Sequence, residues 1–189
     1  MSDPDPNEAP GPRRPATDDG GTTGGGGATD PGGVTDDARL AAYAAALADG
    51  IERALPAWVE RSVRTVAEAW RPGLAAELGD AAVAAGRDAA AVVGGRVRAL
   101  LADDVDRQAT GPLAVVREAV AYPTAVLAAA GVPAVVRDEF AEAAFPDDRY
   151  GLAPASFADL DPALHEPGLA WGAAKAHVVL ARRRAEGRR

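Results

Sequence analysis

The stretch HEPGLAWGAAKAH, His165 to His177, holds both histidines of the chain, one of its three tryptophans and its only lysine, Lys175. Imidazoles and an amine can transfer protons, ligate metals or hold an anion near neutral pH. Metal ligands on one helix stand three or four residues apart, as in HExxH or the ExxH pairs of di-iron bundles. His165 and His177 are twelve apart with Pro167 between them, and neither motif occurs. No metal site and no cofactor are expected from them. The chemistry left open to this stretch is binding of an acidic or phosphorylated small ligand near Lys175 and His165.

Other reactive constellations are weaker still. Asp103, Asp104 and Asp106 approximate an aspartate-rich magnesium motif, but the third aspartate comes one residue early and no second such motif appears. Asp147 and Asp148 lack the ligand spacing of a calcium loop. Both clusters read as solvated, the first as a helix end and the second as a turn. Ser62 and Ser156 have no nucleophile-elbow context, and GGTTGGGG near the amino terminus lacks the Gly-Lys-Ser/Thr ending of a phosphate-cradling loop. No catalytic residue is assigned.

The elements that would position His165 to His177 are helical. Asp161 with Pro162 makes a helix start and Pro167 resets the axis. The helix beyond it places Leu169, Ala173, Ala176 and Leu180 on one face, the expected core face. At 100° per residue, Trp171, Lys175, Val178 and Arg182 fall on another face, a mixed apolar and basic stripe. Trp171 and Lys175, four residues apart, can stack. Trp171, Lys175 and Arg182 are the candidate stripe for docking another protein.

Composition narrows the class. A formal net charge of -8 disfavours general affinity for nucleic acid or anionic lipid. The absence of cysteine excludes disulfides, thiolate nucleophiles and thiolate metal sites. The first 35 residues are acidic and Gly/Pro-rich rather than a basic start followed by an apolar run, so a cytoplasmic location is expected. The smooth apolar run Thr124 to Val136 is interrupted by Gly131 and Pro133 and is too short to span a bilayer core of about 30 Å. Five arginines, Arg182 to Arg184 with Arg188 and Arg189, form a basic tail suited to a helix C-terminus.

Residues 1–34 carry no aromatic side chain and no apolar period, and read as a disordered Gly/Pro/Asp-rich arm. Thr35 is an expected N-cap, with Asp36 and Asp37 in the first turn. Leu40, Tyr43, Leu47, Ile51 and Leu55 form one helical stripe, and Val59, Val63, Val66 and Trp70 a second. Pro56 between them is expected to begin a new helix or a kink. A long, alanine-rich helix is expected from Leu74 to about Val105, with a stripe of Leu74, Leu78, Ala82, Ala85, Ala89, Val93, Val97 and Leu101. Its small residues would let a neighbour approach closely, with a bend at Gly94 and Gly95. Helices are expected to start near Pro112 and again near Tyr122, the latter ended by Gly131 in a left-handed cap. Between Asp138 and Phe157, the aromatic residues Phe140, Phe145, Tyr150 and Phe157 alternate with prolines and predict a segment wrapped on the body and pinned by its rings.

The run AYPTAVLAAAGVP...RDEFAEAAFPDDRYGLAPASFADLDPALHEPGLAWGAAKAHV, from about Ala121 to Val178, resembles a group of uncharacterised actinobacterial proteins. The resemblance implies no activity and carries no site residue with it. The combined expectation is an all-α, irregular bundle of about five to seven helices over residues 35–189, preceded by the arm and closed by the Arg-rich tail. The function expected is a non-catalytic protein-interaction or scaffolding module, with another protein as partner. The alternative is a ligand-binding or enzymatic domain centred on Lys175 and His165.

Overall fold

Leu47, Ile51, Leu55, Val59 and Val63 recur every four residues, and all are buried at 1% exposure or less. They are the spine of α1 (Asp36–Trp70), the longest helix of a computed structural model that describes residues 36–102, 111–165 and 186–187. Of the two outcomes expected at Pro56, a new helix is ruled out, because α1 continues through it as one helix. Proline removes one backbone hydrogen bond and crowds the preceding turn. Here the turns on both sides bury residues in one core, Ile51 and Ala54 before it and Trp58 and Val59 after it.

After the turn at Arg71 to Gly73 come α2 (Leu74–Glu77) and α3 (Gly79–Ala89), separated at Leu78. The chain then continues through a π-helical turn, Ala90–Gly94, into α4 (Gly95–Ala102). The expected stripe is buried at Leu74, Ala82, Ala89, Val93, Val97 and Leu101, and half-buried at Leu78 and Ala85. α1 and α3 share the most extensive helix pairing in the bundle, and glycines set its closeness. A Cβ added at Gly86 would stand 2.9 Å from Pro56 Cα and 3.1 Å from its carbonyl oxygen; one at Gly94 would stand 2.4 Å from Glu52 Cγ. The expected deformation at Gly94 takes the form of the π turn, which widens the helix by one residue per turn and brings Val93 and Gly94 onto α1.

The two helices expected after residue 110 are one continuous helical run. α5 (Pro112–Arg117), with Pro112 in its first turn, passes through a 3₁₀ turn, Glu118–Val120, into α6 (Ala121–Ala129). By length and composition the run Pro112–Ala129 could cross a membrane. It instead buries Val115, Val116, Ala119, Val120 and Leu127 in the core. At its middle, Arg117 holds the Pro154 carbonyl and Glu118 meets Arg96, the polar contacts of a core helix rather than a lipid-facing one. Two clusters fill the bundle. One joins the first half of α1 to α4, α5, Leu160 and Leu164; the other joins Val63 and Ala67 to α2, the start of α3, Leu127, Val132 and Tyr150.

The described protein is an all-α irregular bundle. Of the four rings expected to pin the segment between Asp138 and Phe157, Tyr150 is buried, Phe157 is half-buried and Phe145 is half-buried with the Arg117 guanidinium 5.4 Å from its ring centre; the chain from Leu152 to Leu164 is held besides by aliphatic residues and arginine–carbonyl bonds. Leu160 and Leu164 are buried and Phe157 half-buried. Arg61 donates to the Leu160 carbonyl at 2.9 Å, and Arg117 Nε to that of Pro154 at 2.9 Å. Two expectations about rings fail outright: Trp70 is 56% exposed at the end of α1 and Phe140 is 84% exposed. Trp70 is the last residue of α1. Phe140 belongs to α7 (Glu139–Ala144), whose single turn and a half buries no residue at all. The expected arm, Thr35, and the Arg-rich tail fall outside the described residues.

Candidate functional site

The candidate functional feature of the described surface is the segment that leaves α6. Gly131 takes a left-handed conformation, φ 73°, and ends α6 by donating to the Ala128 carbonyl at 3.0 Å, while Val132 N donates to that of Leu127 at 3.1 Å. This is the Schellman pairing, in which the residue past the glycine packs back on the helix; Val132 and Leu127 accordingly share one cluster. The glycine cap is as the sequence predicts. From here the chain runs extended, with Val135 N donating to the Arg149 carbonyl at 3.0 Å.

Three side chains then fix the segment from within. Arg137, half-buried, donates Nη1 to the carbonyls of Phe145, at 2.9 Å, and Asp148, and Nη2 to that of Ala141 at 2.6 Å. Asp138 caps α7 by accepting from Ala141 N at 2.7 Å. Asp148 is only 3% exposed, and its two oxygens accept from Leu152 N at 2.6 Å and Ala153 N at 3.0 Å. The solvated turn expected at Asp147 and Asp148 is thus corrected for the second residue. A carboxylate offers a separate charged oxygen to each of the two backbone N–H groups, which makes both bonds charge-assisted.

Tyr150 closes the base. Its ring is buried and its hydroxyl donates to the Val132 carbonyl at 2.8 Å. Burial pushes the phenol pKa up, with Arg149 pulling the other way. The neutral phenol is thus favoured in the folded chain, and its stabilisation is complete below the ordinary tyrosine range near pH 10. It is lost as pH rises through the higher folded value, because the unfolded chain ionises first. Tyr150→Phe is expected to cost about 1 kcal/mol at neutral pH through the lost hydrogen bond, and to melt with a shallower alkaline decline than the parent. Melting midpoints from pH 8 to 11 compare the two slopes.

On this internally satisfied frame the outward residues are apolar. Val135 is 55% exposed, Val136 97% and Phe140 84%. On α7, Phe140, Ala143 and Ala144 share one face by their spacing, and all three are exposed. The sequence counted Val136 as the end of an apolar run and Phe140 as a pinning ring. The signal against burial was the shortness of α7, bounded by Asp138 and Pro146.

Elsewhere on the described surface, a shallow groove of about 370 Å³ lies between α3 and α6, lined by Ala85, Asp88, Ala121, Tyr122, Ala125 and Val126. Its polar groups, one carboxylate and one phenol, assemble no nucleophile–base pair. Among the described residues no group of three His, Asp or Glu side chains converges as a metal site. His165 is exposed beyond the turn Pro162–Leu164. Ser62 is buried in α1, and Ser156 caps the turn Phe157–Asp159 together with Asp159. Trp171, Lys175, Arg182, His177 and the Asp103–Asp106 cluster lie outside the described residues. No protein-family model, curated protein or solved structure matches the chain, so the functional reading rests on this geometry.

Proposed function

We propose that the chain is a non-catalytic protein-interaction module of the cytoplasm, acting through the platform of Val135, Val136 and Phe140. The single observation behind this reading is that three large apolar side chains are exposed on a segment fixed from within by the hydrogen bonds of Arg137, Asp148 and Tyr150. Large apolar side chains exposed within six residues of one segment are costly unless a partner covers them. A frame already ordered before binding also lowers the entropy lost on association. Trp171, Lys175 and Arg182 are retained as a second contact stripe on sequence grounds alone.

The test is site-specific photo-crosslinking in cells that make the protein, with a benzoylphenylalanine at Val136 and, as control, at the exposed Ala91 of the π turn. A discrete adduct from position 136 that disappears with Phe140→Ser, and none from position 91, is the expected result. Equal adducts from both positions, or none from either, would refute the reading.

A further inference from the structure

The platform carries a charge pattern that specifies its partner. From Pro133 to Arg149 the carboxylates are Asp138, Glu139, Glu142, Asp147 and Asp148, against the guanidiniums of Arg137 and Arg149. Asp148 faces inward onto two amides, and the half-buried Arg137 is held by three carbonyls. What reaches solvent in the segment of Val135, Val136 and Phe140 is therefore Asp138, Glu139, Glu142 and Asp147, with Arg149 and the half-buried Arg137 the opposing charges.

Along the bundle's helices several acids meet an arginine. Glu77 pairs with Arg71 at 2.7 Å, Glu118 with Arg96, and Asp49 and Glu52 both with Arg98 at 2.6 Å. Glu139, Glu142 and Asp147 meet none among the described residues. On α7 the two glutamates sit three residues apart, alongside the face of Phe140, Ala143 and Ala144. By that spacing they form an acidic collar along one side of the exposed apolar face of α7.

Resting on the interaction reading above, we infer that the occupant is a cationic amphipathic segment of another protein. Its apolar residues cover Val136 and Phe140, and its Lys or Arg side chains flank them to meet Glu139, Glu142 and Asp147. A second copy of this chain fits poorly, because a two-fold contact through the patch sets collar against collar. An anionic lipid surface is repelled for the same reason.

The test uses the full chain and two labelled amphipathic peptides that share one leucine face, flanked by lysines in the first and by glutamates in the second. Fluorescence anisotropy reads their binding. The lysine peptide is expected to bind at least about tenfold more tightly than the glutamate peptide and to weaken as salt rises. Glu139→Gln/Glu142→Gln/Asp147→Asn should remove most of that preference, and Phe140→Ser should weaken binding about tenfold. The matched control Glu60→Gln/Asp80→Asn/Asp88→Asn should leave it within about twofold. Thermal melts near the parent value for each variant establish that the fold is kept.

Three outcomes overturn the inference: no lysine-peptide binding, equal binding of both peptides, or equal loss from the collar and control triples. If binding in those last two cases still depends on Phe140, the platform remains a docking surface and only the partner's charge is wrong. If Phe140→Ser changes neither peptide and the Val136 crosslink is also absent, the interaction reading falls with it. A concentration-dependent dimer abolished by Phe140→Ser would make the occupant a second copy and overturn the cationic assignment.

Discussion

Replacing Gly86 with valine is expected to destabilise the bundle by about 3 kcal/mol and to lower its melting midpoint by about 10 °C. The reason is the nature of the obstacle. A side chain at Gly86 meets the Cα, carbonyl carbon and oxygen of Pro56, and backbone in the middle of a helix cannot move aside alone. α3 must lift from α1 along the pairing that buries Ala82 and Ala89 on one side and Leu55, Trp58 and Val59 on the other. Gly94→Ala is the control. It is nearer in distance, 2.4 Å, but its neighbour is the Glu52 side chain, which can rotate away at the expense of its exposed pairing with Arg98. Exposed pairs contribute roughly 0 to 1 kcal/mol, and alanine recovers about 1 kcal/mol of helix propensity. Gly94→Ala should therefore melt within a few degrees of the parent, as calorimetry on the two variants would show. The reverse order of stabilities would mean that α1 and α3 do not approach at Pro56.

The second large effect is expected from Asp148→Ala, at about 3 to 4 kcal/mol. Truncation leaves the amides of Leu152 and Ala153 without their acceptor in a site too closed for full hydration, and hydrogen bonds to a charged group contribute about 1.5 to 3 kcal/mol each. Asp148→Asn keeps one acceptor oxygen and should recover part of the loss. Because the Asp148 carbonyl also accepts from Arg137, the damage should spread to the turn around Phe145 and to α7. Urea titration would show it as a lowered midpoint. An unchanged midpoint for Asp148→Ala would place that carboxylate in solvent.

The helical period made most of the bundle readable from residue order. The stripes through Leu47, Ile51 and Leu55 and through Ala82, Ala89, Val93 and Val97 are the buried faces, and Gly131 followed by Pro133 marked the end of α6. Prolines were over-read. Pro56 and Pro123 lie inside helical runs because the packing of the turns on either side outweighs one lost hydrogen bond each. The platform was not legible, for two physical reasons. Asp148 looks like any turn aspartate until the chain folds two amides onto it. Phe140 and Val136 look like core residues because apolar character alone does not say whether a partner face exists within the same chain. Arg137 gave no period or motif at all, since its role depends on three carbonyls brought together only by the fold.

Central to the account is a patch of apolar side chains held in water by an ordered frame, and amide hydrogen exchange measures that most directly. The amides of Val135, Leu152 and Ala153, bonded to the Arg149 carbonyl and the Asp148 carboxylate, are predicted to be protected in the parent chain. In Asp148→Ala the amides of Leu152 and Ala153 should lose that protection, while those at Ile51 and Leu55 in α1 keep theirs. Exchange of Val135, Leu152 and Ala153 at unfolded-chain rates in the parent protein would contradict the account, because Val136 and Phe140 would then have no frame to present them.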